Sequence, residues 1–145
     1  MEEYSLGKIM SKVSGVFIPV TDMKRSTEWY INTFDLEVIQ LSDVCTGLAF
    51  PGEATFINLW KVERAQPTTF DTGTERIPYY NFESFDIEYS HAALIEKGVE
   101  AMPIVNGDGV RFFDCLDPDG NRIGIVEELP VSVAFYEHKQ KYRKD

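Results

Sequence analysis

Cysteine is scarce in this chain, basic residues are outnumbered, and no apolar run approaches the ~20 residues a membrane-spanning helix needs. The two cysteines, Cys45 and Cys115, have no CxxC spacing and lie in apolar, strand-like stretches. That pattern suits a reducing compartment and small buried packing residues better than a disulfide framework. With 14 basic against 24 acidic residues the formal net charge is -10, which repels phosphate backbones and so argues against nucleic acid as a partner. The same field favours cationic ligands. The N-terminus, "MEEYSLGKIM", has the wrong charge and too little hydrophobicity for a secretory signal. A soluble cytoplasmic protein without a membrane partner is the expectation.

What is present is enough apolar material for a core: 43% of 145 residues. The pattern predicts a flexible leader over 1–12, one domain over 13–129 and a C-terminal extension over 130–145. From Val13, "VSGVFIPV" alternates with Val16, Ile18 and Val20 on one face. The next stretch, "TDMKRSTEWYINTFD", switches to helical spacing around Trp29, Tyr30 and Phe34, with Asp22 or Ser26 as cap. Three strand candidates follow from Leu36, Val44 and Ala54, giving β-α-β-β-β.

"RAQPTTFDTGTER" shows no apolar period and reads as a linker or long loop. The pattern then restarts. "IPYYNFES" reads as a strand. "DIEYSHAALIEKGV" reads as a helix burying Ile87, Ala92, Leu94 and Ile95 and stopped by Gly98, and three more strands follow. Two such copies, about 13–63 and 77–129, have a period too long for a solenoid and imply a pseudo-symmetric α+β fold, with helices on one side of a curved mixed sheet and a cleft on the other. The basic-ended tail carries Val133, Phe135 and Tyr136 as candidates for docking on the body or a second subunit.

Three stretches in this order, "VFIPVTDMKRSTEWYINTFDLEV", "FESFDIEYSHAALIEKGVE" and "DPDGNRIGIVE", resemble the vicinal oxygen chelate superfamily of glyoxalase I, extradiol dioxygenases, fosfomycin-modifying enzymes and bleomycin-resistance proteins. The resemblance covers about 13–129. It implies a glyoxalase-like fold, a homodimer, and in the enzymes a divalent metal held by side chains from four strands. The matching positions here are Gly15, Asn58, Tyr79 and Gly124. Glycine offers no donor, an amide binds a hard cation weakly, and a neutral phenol is a poor ligand. No metal and no other cofactor is therefore expected. The two histidines do not change this, because His91 falls on the second helix and His138 in the tail.

Alternation assigns the strand faces. The core face collects Val16, Ile18, Val20, Ile57, Leu59, Tyr80, Phe82, Phe113, Cys115, Ile123 and Ile125. The cleft face collects Phe17, Phe56, Asn58, Trp60, Tyr79, Asn81, Phe112, Asp114 and Arg122 as candidate ligand-binding residues, with Pro19 and Glu83 beside them. Rings supply stacking area and Asn58, Tyr79 and Asn81 supply hydrogen bonds, a mixture typical of small-molecule pockets. Asp114 and Arg122 also suit a cross-strand ion pair. The expectation is a binder of a small aromatic or cationic molecule in a metal-free cleft. Two alternatives stay open: a lyase or dioxygenase-type enzyme, with Glu83 or Asp114 as general base if metal-independent, and a scaffold module whose cleft is filled.

Overall fold

Alternating apolar residues make β1 (Gly15–Val20), in which Ile18 and Val20 are fully buried. The structure, a computed structural model, describes residues 9–143. Of the expected leader, residues 1–8 lie outside the described residues, and 9–12 form neither helix nor strand. Asp22 accepts a hydrogen bond from the Arg25 amide at 3.0 Å and so starts α1 (Met23–Phe34), satisfying one orphan donor of the first turn. Asp35, left-handed at φ 55°, ends it. Ser26, the other candidate cap, is buried inside the helix.

The chain then forms β2 (Glu37–Gln40), β3 (Cys45–Ala49) and β4 (Phe56–Lys61), in a sheet of order β1-β4-β3-β2. β1 and β4 run parallel and the other pairs antiparallel. After a hairpin of β5 (Thr69–Asp71) and β6 (Arg76–Pro78) come β7 (Asn81–Glu83), α2 (Ile87–Glu96), β8 (Glu100–Ala101), β9 (Val105–Asn106), β10 (Val110–Leu116) and β11 (Arg122–Glu128). The second sheet has order β7-β11-β10-β8, again with its first and last strands parallel. This mixed α+β architecture thus repeats one topology, as the sequence pattern implies.

Three details differ from the sequence expectation. The presumed linker contains the β5–β6 hairpin, because Phe70 and Ile77 pair across the turn and Arg76 ties the strands by donating to the Thr69 hydroxyl and carbonyl at 2.7 and 3.0 Å. The strand read over "IPYYNFES" is broken at Tyr79–Tyr80, between β6 and β7. On α2, Ile87 and Leu94 are buried as expected, whereas Ala92 and Ile95 are exposed: the helix touches the sheet along a narrower stripe. Gly98 ends it at φ +84°, a conformation strained for any residue with a Cβ.

One hydrophobic cluster joins the two halves. It holds nine of the eleven residues assigned to the core face, with Val16 and Tyr80 packed against it. Three rings knit the seam: Phe34 and Phe50 each meet Phe82 edge-on, at 5.0 and 5.1 Å. Lys97, at the end of α2, donates to the Asn32 and Thr33 carbonyls at the end of α1. A cation there complements the helix dipole.

The extension forms a helix, α3 (Val133–Tyr142), none of whose residues is buried. Charge holds it to the second module: Lys139 bridges Glu83 and Glu128 at 3.2 and 3.0 Å, and Arg143 reaches Glu83 and lies over the Phe85 ring. Val133 and Phe135 remain exposed and Tyr136 half-buried. Among the described residues no helix is long and apolar enough to cross a membrane.

Candidate functional site

The sheet faces turned away from α1 and α2 carry the candidate residues, and most of them divide between two separate hollows. On the second module, Asn81 from β7, Phe112 and Asp114 from β10 and Arg122 from β11 surround a cavity of about 360 Å³. The β5–β6 hairpin supplies Glu75, Arg76, Ile77 and Pro78 to its wall. Sequence reasoning missed these four because Thr-rich turns hide a short hairpin; the usable signal was Phe70 and Ile77 placed either side of "DTGT".

Gly124 forms the floor. A Cβ there would come within 3.1 Å of the Asn81 Cβ and 3.7 Å of Asp114 Oδ1, so the missing side chain leaves space between these two polar groups. Asp114 lies opposite Gly124 in the ladder, while Arg122 pairs with Leu116. The expected ion pair therefore forms on the diagonal, and it is long: Arg122 Nη1 to Asp114 Oδ2 is 3.5 Å. Burial pushes the Asp114 carboxyl above its usual range, and the Arg122 charge only partly opposes this. Its other oxygen, Oδ1, takes no hydrogen bond from any described residue.

The first module's hollow is wider and more open. Phe17 and Trp60 stack edge-on at 6.0 Å and line it with Pro19, Tyr79 and Tyr80. Phe17 and Tyr79 are 64% and 67% exposed. Tyr79 sits in the gap between β6 and β7 with its ring 5.4 Å from Phe70. Phe56 and Asn58 line neither hollow. Asn58 instead lies flat between two glycines, since a Cβ at Gly15 would stand 2.9 Å from its Nδ2 and one at Gly47 3.5 Å from its Oδ1.

Glu83 is not free to act as a base, because Lys139 of α3 and Arg143 just after it hold it. His91 is structural: its Nε2 bonds the Met102 carbonyl at 2.9 Å and its ring meets Phe113 edge-on. His138 lies on α3 against Tyr142. Both cysteines are free thiols, and burial pushes Cys115 up to about 12.

A divalent metal does not fit the four implied positions. Gly15 and Gly124 bring no donor, Asn58 one neutral amide, and Tyr79 turns outward onto Phe70. Among the described residues no three His, Cys, Asp or Glu side chains gather elsewhere to replace them.

The "DPDGN" turn proves to be a clamp. Asp117 is its internal acceptor, taking the Asp119 and Asn121 amides at 2.9 and 2.8 Å. Asp119 reaches to the start of α1: it accepts from the Thr21 amide at 3.0 Å, from the Thr21 hydroxyl, and from Arg25 at 2.9 Å. Gly120 has φ +80°, whereas Asn121 keeps negative φ and donates its amide to the Pro19 carbonyl and Asp117, both at 2.8 Å.

Residues 12–125 match the model of the Glyoxalase/Bleomycin resistance protein/Dioxygenase superfamily. Among solved structures, a member of that superfamily from Sphaerobacter thermophilus DSM 20745 is 21% identical with a TM-score of 0.68, covering 83% of this chain and all of that one. TnmS3, an antibiotic binding protein from Streptomyces sp. CB03234, is 21% identical with a TM-score of 0.66, covering 83% of this chain and 98% of its own. The fosfomycin resistance protein FosX from Listeria monocytogenes is 18% identical with a TM-score of 0.67, covering 86% and 99%. At these identities the likeness is one of fold. No curated protein sequence matches the chain.

Proposed function

The chain belongs to the glyoxalase/bleomycin resistance protein/dioxygenase superfamily, and from that premise we propose that it binds a small aromatic or cationic molecule, without a metal, in the cavity over Gly124. The observation that carries this reading is the half-buried Asp114 carboxylate, underpaired at 3.5 Å, beside the Phe112 ring in a cavity of about 360 Å³. Small-molecule sites span about 300–1,000 Å³ and combine apolar walls with a few aimed polar groups. The net charge of -10 draws cations toward it. An antibiotic binding protein among the similar folds is in keeping with a sequestering role.

The exposed Phe17, Trp60 and Tyr79 around the wider hollow support a homodimer, in which a second copy covers this face. The two free thiols support a cytoplasmic setting. A second reading, metal-independent catalysis, has one observation in its favour: the raised pKa of Asp114 would suit a general base. Thermal-shift screening of neutral and cationic aromatics against the wild type and Asp114→Asn tests the binding reading. Stabilisation of the wild type that the variant loses supports it. A panel that shifts neither protein refutes it.

A further inference from the structure

Asn81 and Asp114 flank the missing Gly124 side chain, Arg122 lines the same cavity next to Asp114, and each of the three has unused capacity. Asp114 Oδ1 accepts nothing from the described residues, and Asp114 Oδ2 takes only the long contact from Arg122. The Asn81 side-chain amide makes no hydrogen bond with a described residue. Arg122 spends one Nη1 contact on Asp114, so the rest of its guanidinium fork remains available to an acceptor. Read along the floor, the row presents an acceptor and then a donor, with an amide that can serve as either.

That order has a complement. A carboxylate left without donors is satisfied best by two parallel N–H groups, since charge-assisted bidentate pairs are the strong ones. The neighbouring guanidinium then calls for a carbonyl on the same ligand edge. A simple ammonium offers donors to Asp114 but nothing to Arg122, and an anion would meet Asp114 and the molecule's net charge of -10. The walls are apolar: Ile77 and Pro78 come from the hairpin, Phe112 and Val126 from the sheet. They suit the faces of a flat ring, leaving its edge for the floor.

We propose that this cavity recognises a planar 2-amino-4-oxopyrimidine edge, in which the ring N–H and exocyclic amine bind the Asp114 carboxylate and the carbonyl meets Arg122 and Asn81. This rests on the small-molecule reading above and names the ligand class for it. A ring of that kind, alone or fused to a second, falls within what a cavity of about 360 Å³ admits.

Calorimetric titration of the full chain with three probes tests this: 2-aminopyrimidin-4-one, pyrimidin-4-one, which lacks the amine, and benzyltrimethylammonium. A site built around a hydrogen-bond pair rejects the analogue lacking it, so the amino compound should bind at least about tenfold more tightly than pyrimidin-4-one. Asp114→Asn, checked for folding by its melting temperature, should abolish that preference. Val38→Thr, on the exposed β2 strand outside the cavity, should keep it. Equal binding of the two pyrimidinones, or an Asp114→Asn variant that still discriminates, overturns the proposal. Binding of benzyltrimethylammonium alone, lost in Asp114→Asn, overturns this ligand class but leaves the binding function standing. No binding by any probe overturns both.

Discussion

Tyr30 on α1 donates a hydrogen bond of 2.6 Å to Asp117, 87 positions later in the chain, where both side chains are buried. The bond joins the helix of one module to the closing turn of the other. Burial, followed by the Asp117 charge, pushes the Tyr30 phenol well above its ordinary value, so it stays protonated and remains the donor. Burial likewise raises Asp117, against the lowering effect of the bonds from Tyr30 and Asn121.

Tyr30→Phe should therefore destabilise the protein by about 1–3 kcal/mol, the cost of removing a partner from a buried charged acceptor. Urea unfolding monitored by circular dichroism measures it. A variant as stable as the wild type would show that the bond contributes nothing to holding the modules together.

Asp119 gives the clamp a pH dependence of known sign. Burial pushes its carboxyl up, but the Thr21 hydroxyl and amide and the Arg25 guanidinium outweigh this and hold its pKa below the usual value. The stability it provides is complete above the unfolded-state pKa, near 3.9, and is lost as pH falls through the lower folded-state value. Asp119→Asn should lower the melting temperature at pH 7 and bring the variant and wild-type curves together in strong acid. Parallel curves down to pH 2 would contradict this.

Asp114 has the opposite sign. Its raised pKa means that between the unfolded- and folded-state values the folded protein holds a proton the unfolded chain has released, so the residue's cost to stability builds up across that window and is complete above the folded-state value. Asp114→Asn should keep or raise the melting temperature at pH 7 while weakening ligand binding. A clear fall in melting temperature would assign Asp114 a structural role instead.

The mix of legible and hidden features follows from how far each physical signal reaches along the chain. Alternation over β1, β4, β10 and β11 names the buried set because one face of each sheet meets the helices, and residues such as Ile18, Leu59, Phe113 and Ile123 have nowhere else to go. The missing metal donors are equally plain, since Gly15 and Gly124 have no side chain to misjudge. The division of the candidates between two hollows is not legible. It depends on the break at Tyr79 and on where the β5–β6 hairpin lies, and neither has a periodic signature. The partner of Glu83 was hidden for the same reason: it sits on α3, whose docking rests on a few charges.

The attachment of α3 should be sensitive to salt. Its contacts are exposed or half-exposed ion pairs, each contributing about 0–1 kcal/mol and screened at high ionic strength. Amide exchange over 133–142 should quicken between 0.05 and 0.5 M NaCl, values on the order of those that shorten the Debye length from above to below 10 Å. Exchange in β10 and β11 should not change. Uniform protection of the helix at both concentrations would mean that apolar packing holds it.

Both additions to the repeated frame, the hairpin before β7 and the helix after β11, attach to the same half of the molecule. The repeated topology presents two similar surfaces, and these additions furnish only one of them with walls. An insertion or deletion in the hairpin turn could therefore reshape what the protein selects without disturbing the seam of rings at Phe82. Variation among relatives of this chain should accordingly concentrate between residues 69 and 78.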